Sequence, residues 1–110
     1  MIQVRISRNK KREILSFELE GHAESGPKGH DLVCAAASAV SFGAVNAVIK
    51  LCQIDPLIDQ GSEGGYLRME LPLNMDQEVF QKAQHILEGM VVSLETIERD
   101  YSQYITISKK

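Results

Sequence analysis

The chain has 110 residues, enough for one domain around one core, and 44% of them are hydrophobic and 25% charged, as in ordinary folded proteins. The net charge of −3 excludes the strongly basic surface that typifies nucleic-acid binding. No apolar run approaches the roughly 20 residues that a membrane-spanning helix needs, and residues 1–10 lack a signal-peptide core. We therefore expect a single cytoplasmic domain over residues 1–110, with no membrane and no direct nucleic-acid partner.

Two segments near the start of the chain alternate apolar and polar residues, which predicts two β-strands joined by the basic turn 8–12. The apolar positions are Ile2, Val4 and Ile6 in the first strand and Leu15, Phe17 and Leu19 in the second. Because side chains alternate between the two faces of a strand, Glu20 and His22 are predicted on the face opposite Phe17.

An Ala-rich helix is predicted after a loop that contains two glycines and a proline. The helix is apolar around most of its circumference, so we expect it to be largely buried. Two short strands, a second helix with an apolar face and a last strand follow. In chain order, these five predicted elements cover residues 32–51, 54–59, 66–71, 79–97 and 103–108.

The resulting order, β-β-α-β-β-α-β, predicts an α+β fold: a two-layer sandwich in which one sheet carries two helices on one face. Pro56 lacks an amide donor, which favours a sheet edge or a strand start for its segment. Asn74 or Asp76 is the predicted cap of the second helix. The other face of the sheet is predicted to be open or covered by a second subunit.

Cys34 is the candidate nucleophile. Asp31 is the predicted N-cap of the first helix, which makes Cys34 the third helical residue, where the helix dipole favours thiolate over thiol. His22, at the end of the second strand, is the candidate base for the Cys34 proton. The alternative is that Cys34 is a small buried hydrophobe, the commoner fate of a free cysteine.

Cys52 is predicted to be buried and unable to pair with Cys34. The two residues lie 18 positions apart on one predicted helix. A helix rises about 1.5 Å per residue, so they are separated by roughly 27 Å, far beyond disulfide reach.

Ser38 and His30 are further candidate site residues. Ser38 lies one helical turn beyond Cys34, where its hydroxyl either contacts substrate or packs within the helix. His30 is a second candidate base, and His85 is predicted to be exposed on the second helix. No closely spaced pair of metal ligands occurs, so we expect no metal.

The spacing of these residues resembles a known family. The sequence is similar to the motif of the Prp ribosomal-processing cysteine proteases. That motif is matched by Gly21-His22-Ala23, a short glycine-containing loop, Asp31-Leu32-Val33-Cys34-Ala35, and Ser38 four residues after the cysteine. The resemblance extends over essentially the whole chain in length and element order.

The resemblance implies a cysteine endopeptidase that removes the short N-terminal extension of a large-subunit ribosomal protein and so supports ribosome assembly. It implies that Cys34 is the nucleophile and His22 the base, with Gly21, Asp31 and Ser38 at the substrate site. It also implies a homodimer, no cofactor, and a loop over 23–30 that closes on the peptide.

Two other functions are compatible with the sequence. One is a non-enzymatic, ribosome-associated assembly module that would use the basic turn 8–12 and treat Cys34 as a packing residue. The other is a thiol redox or acyl-transfer enzyme, which the lack of a resolving cysteine near Cys34 disfavours.

Overall fold

The computed structural model describes residues 1–21, 29–62 and 65–109, and of residues 29–31 and 109 it describes only the backbone. The elements follow one another in the predicted order, β-β-α-β-β-α-β. Their bounds are β1 Ile2–Arg8, β2 Ile14–Glu20, α1 Gly29–Cys52, β3 Leu57–Asp59, β4 Tyr66–Glu70, α2 Gln77–Asp100 and β5 Ile105–Lys109.

The five strands form one mixed sheet in the order β3-β4-β2-β1-β5. Its neighbouring strands are antiparallel except β1 and β5, which are parallel. The predicted α+β sandwich, with both helices on one sheet face, is confirmed. β3 lies at the sheet edge and begins directly after Pro56, as that residue predicted.

One sheet face and the two helices enclose a single core. Val4, Phe17 and Met69, on three adjacent strands, are at most 1% exposed and pack with side chains from both helices. Burying an aliphatic or aromatic side chain of this size stabilises the fold by roughly 1.5–3 kcal/mol. The opposite sheet face carries polar side chains such as Arg5 and Glu18, as the alternation predicted.

A β-bulge interrupts the alternation at the start of β2. The β1–β2 pairing shifts register between Ser7 and Arg8, so β2 contains an additional residue there. Leu15 is consequently 39% exposed, whereas Ile14 is fully buried. The prediction that Leu15 shares the buried face with Phe17 is therefore wrong.

Side chains of α2 fasten this end of the hairpin. The buried Gln84 amide accepts from the Ile14 N–H at 2.6 Å and donates to the Ile14 carbonyl at 2.7 Å. Arg8 forms two hydrogen bonds to Glu88, at 2.5 and 3.1 Å. The bond from Arg8 lowers the pKa of Glu88. Arg8, the first residue of the basic turn, therefore links the hairpin to α2.

Helix α1 buries one stripe rather than most of its surface. The buried positions are Val33, Ala37, Ser41, Val45, Val48 and Cys52. Leu32 and Leu51 are 66% and 62% exposed, and Ala35 and Ala39 are exposed as well. The prediction of a largely buried helix is wrong because alanine is compatible with either environment and its spacing does not mark a buried face.

Residues Leu32–Cys52 of α1 are long and apolar enough to cross a membrane by length and composition alone. The expectation that no segment approaches this limit is therefore wrong. The core helix of a globular domain passes the same test. The buried stripe of α1 packs in the same core as the sheet and α2, which is how such a core helix behaves.

Helix α2 is capped by Asp76, one of the two predicted cap residues. The Asp76 carboxylate accepts a hydrogen bond from the Glu78 N–H, whereas Asn74 lies before the cap with a φ of 62°. His85 is exposed on this helix, as predicted.

Candidate active site

A cavity of about 360 Å³ lies between α1 and the connection that joins β3 to β4. Its described lining consists of Ile2, Leu19, Gly21, Cys34, Ala37, Ser38, Phe42, Gln60, Gly61, Ser62, Gly65, Tyr66 and Leu67. Three of the five candidate site residues, Gly21, Cys34 and Ser38, are thus brought to one cavity. His22 lies outside the described residues, as does the side chain of Asp31.

The two free cysteines occupy different environments. Cys34 is partly exposed in the cavity wall, whereas Cys52, at the other end of α1, is 6% exposed within the core. The predicted burial of Cys52 is confirmed. Cys34 packs against the edge of the core and also lines the cavity, whereas Cys52 belongs to the core itself.

The start of α1 differs from its predicted position. The helix begins at Gly29, so Asp31 is its third residue and Cys34 its sixth. The predicted N-cap at Asp31 is wrong, and residues 29–30, predicted as loop, are helical. The dipole effect decays within the first helical turn, so it contributes less at Cys34 than predicted.

Gly21 shapes the cavity wall through its backbone. Its φ is +103°, and a Cβ built on it would lie 2.5 Å from the carbonyl oxygen of Met1. Its N–H donates to the carbonyl of Gly65 at 2.8 Å. A residue with a side chain does not fit this position, which gives a physical reason for the glycine that directly precedes His22.

Ser38 lies on α1 one turn after Cys34 and is exposed at the cavity. Its hydroxyl is accessible to a bound molecule. Among residues 1–21, 32–62 and 65–108, no three His, Cys, Asp or Glu side chains cluster in a way that could hold a metal ion.

Tyr66 is a cavity residue that the sequence analysis missed. Its hydroxyl donates to Glu18 at 2.6 Å, and Arg5 donates to the other oxygen of the same carboxylate at 2.5 Å. The Tyr66 hydroxyl is the main cause of a lowered pKa at Glu18, and Glu18 in turn raises the pKa of Tyr66. Tyr66 begins a predicted strand, and the strand pattern alone did not indicate that it borders the cavity.

The comparisons agree with one another over the full chain. The model of the family described as Cysteine protease Prp matches residues 1–106. The Ribosomal processing cysteine protease Prp of Bacillus subtilis is 54% identical over 108 residues, covering 98% of this chain and 96% of that relative. The Staphylococcus aureus protein of the same name is 41% identical, with both chains fully covered.

Two solved structures share the fold over the full length of the chain. A crystal structure of the S. aureus protease Prp in complex with a substrate peptide superposes with a TM-score of 0.86 at 39% identity, with both chains fully covered. A second, with a covalently linked product peptide, gives a TM-score of 0.86 at 41% identity and the same coverage. Because the family model covers residues 1–106 and the B. subtilis relative is 54% identical over 98% of the chain, the chain belongs to the Prp family of cysteine proteases.

Proposed function

We propose that this chain is a cysteine endopeptidase that removes the short N-terminal extension of a large-subunit ribosomal protein and so supports ribosome assembly. The observation that carries the proposal is that the Cys34 thiol reaches the cavity that Gly21, the residue before His22, also lines. The names of the relatives, ribosomal processing cysteine proteases, support the substrate class.

The proposed reaction has two steps. The Cys34 thiolate attacks the scissile carbonyl, the C–N bond breaks, and protonated His22 gives its proton to the leaving amine. His22 then takes a proton from water, the hydroxide attacks the thioester, and Cys34 leaves as thiolate. The reaction consumes one water and requires no cofactor. The covalently linked product peptide in the S. aureus relative supports an acyl-enzyme route.

Gly21, Asp31 and Ser38 are proposed to contribute to the substrate site. Gly21 lines the same cavity as Cys34 with backbone alone, and Ser38 is exposed one helical turn after Cys34. The role of Asp31 and the closing of residues 23–30 over the peptide rest on the family resemblance alone.

Cleavage of the extended ribosomal protein, followed by mass spectrometry, tests this proposal. Cys34→Ala and His22→Ala are each expected to slow cleavage by at least about 10³-fold, because nucleophile and base act as a unit. The matched control is Cys52→Ala, which removes a buried thiol far from the cavity and is expected to retain cleavage while losing about 1 kcal/mol of stability. Full cleavage by Cys34→Ala would exclude the proposal.

Location and assembly complete the proposal. We infer a cytoplasmic enzyme, where ribosomal proteins are made, and a homodimer, as the family resemblance implies. The exposed apolar side chains Leu32 and Leu51 on α1 are compatible with a covered surface. Light scattering of the purified chain at micromolar concentration measures the mass directly, and a monomer would remove the dimer from the proposal.

The alternative of a non-enzymatic assembly module has less support. It requires the basic turn to be available and Cys34 to be a packing residue. Arg8 of that turn is bound to Glu88, and Cys34 is accessible from a cavity.

A further inference from the structure

Residues 60–62 and 65, between β3 and β4, line one side of the cavity and are called the β3–β4 wall here. β3 contains three residues at the sheet edge, and Gly61 and Gly65 adopt φ values of 69° and 68°. Glycine is the residue with the most backbone freedom, so contacts help to hold Gly61 and Gly65 in these conformations. The Gly65 carbonyl receives the Gly21 N–H, and the side chain of Tyr66 lies beside Gly61.

The side chain of Tyr66 lies next to the position that a side chain on Gly61 would occupy. A Cβ built on Gly61 would lie 3.6 Å from both Cβ and Cδ2 of Tyr66, which is ordinary van der Waals distance. The Gly61 N–H donates to the Asp59 carboxylate at 2.9 Å, which fixes the local turn. Tyr66 therefore lies beside the turn that the bond between Gly61 and Asp59 closes.

Tyr66 is itself held by a chain of hydrogen bonds across three adjacent strands. Its hydroxyl, on β4, donates to Glu18 on β2 at 2.6 Å, and Arg5 on β1 donates to the second oxygen of Glu18 at 2.5 Å. Arg5 also donates to Glu20 at 3.0 Å. Bonds to an ionised carboxylate are about twice as strong as neutral ones, so the hydroxyl of Tyr66 is firmly oriented.

We propose that Tyr66 is a positioning residue for peptide binding, fixed by Glu18 and Arg5, and that it keeps the β3–β4 wall of the cavity at the spacing a bound peptide requires. This inference rests on the proposed function, since it assumes that the peptide occupies the cavity. Arg5 and Glu18 meet on the sheet face opposite the core, whereas the thiol of Cys34 is carried by α1. The chain of bonds therefore acts on the shape of the site and leaves the chemical step unchanged.

Steady-state cleavage of a peptide that spans the processing site separates these two effects. Tyr66→Phe keeps the ring and removes only the hydroxyl, so we expect KM to rise about 3- to 10-fold with kcat within about twofold of wild type. Glu18→Gln is expected to act in the same direction. The KM of the double variant is expected to be no higher than that of the more impaired single variant, because both changes break the same chain of hydrogen bonds.

Two measurements exclude a general loss of structure. Tyr101→Phe removes a hydroxyl at the end of α2, outside the cavity lining, and is expected to leave KM and kcat unchanged. The alkylation rate of Cys34 by iodoacetamide is expected to be the same in wild type, Tyr66→Phe and Glu18→Gln.

The outcomes distinguish this inference from the proposed function. Cleavage by the wild-type chain with an unchanged KM in both Tyr66→Phe and Glu18→Gln would overturn the positioning role alone. Equal losses in kcat and in Cys34 alkylation would also overturn it, since the residues would then act on the thiol. No cleavage by the wild-type chain would overturn the proposed function and this inference together.

Discussion

The two ends of the β1–β2 hairpin are fastened in different ways. At the turn end, α2 side chains bind the hairpin directly, through Gln84 to Ile14 and Glu88 to Arg8. At the cavity end, the backbone N–H of Gly21 donates to the carbonyl of Gly65, and the conformation of Gly21 leaves no room for a side chain. The turn end thus contributes stability through side-chain bonds from α2, whereas the cavity end lines the cavity in which the reaction is proposed to occur.

The largest effect, on the rate of cleavage, is expected at Gly21, where the cavity wall has no room for a side chain. Gly21→Ala places a Cβ at a φ of +103° and 2.5 Å from a carbonyl oxygen, so the backbone must move. Displacements of about 1 Å near a reacting group can cost roughly 10²-fold in rate, and we expect a loss of that order in cleavage. Gly43→Ala is the matched control, since nothing lies within 4 Å of a Cβ built there. Equal activity in the two variants would contradict the account of the wall.

The next largest effect is expected at the turn end, on stability. Gln84→Leu leaves the N–H and C=O of the buried Ile14 without their partner, which is expected to cost about 2–4 kcal/mol in the free energy of unfolding. Gln81→Leu, which removes an exposed bond to Glu13, is expected to change it by less than about 0.5 kcal/mol. Urea unfolding measures both. Cleavage per folded molecule should remain normal in each.

Acid is expected to weaken the turn end modestly. The bond from Arg8 lowers the folded-state pKa of Glu88 below its ordinary value of 4.5, so this contribution is present above that pH and is lost as the pH falls through the lowered pKa. The pair is partly exposed, so we expect it to contribute less than about 1 kcal/mol. Glu88→Gln should lose less stability than wild type between pH 7 and pH 3. Parallel melting curves across that range would exclude the effect.

The smallest effect is expected inside α1. Ser41 is fully buried, and its hydroxyl has no hydrogen-bond partner among the described residues. Ser41→Ala removes that polar group at nearly constant shape, so we expect a gain of about 0.5–1 kcal/mol in the free energy of unfolding. A loss of stability measured by urea unfolding would show that the hydroxyl has a partner after all.

The sequence predicted the parts of this structure that local patterns determine. Strand alternation located Phe17 in the core, and a proline predicted the edge position of β3. The bulge at Leu15 was not predictable, because it depends on pairing with β1 and on Gln84 from a distant helix. The early start of α1 at Gly29 was missed because glycine is common in loops and unfavourable in helices.

The candidate site was predictable to the same extent. Motif spacing selected Gly21, Cys34 and Ser38, which the fold brings to one cavity. The wall containing Gly61 and Tyr66 was missed because it comes from a turn far along the chain. Its proximity to Cys34 follows from the order of strands in the sheet, which local patterns do not specify.

The most direct test of the account compares the two thiols of α1. Iodoacetamide labelling of the native wild-type chain at pH 6.5, read by peptide mass spectrometry, gives separate rates for Cys34 and Cys52. If Cys34 is the nucleophile and His22 its base, as proposed, we expect Cys34 to react at least about tenfold faster than an unstructured peptide thiol. Cys52 should react far more slowly than that peptide. A Cys34 rate at or below the peptide rate would contradict an activated nucleophile in this cavity.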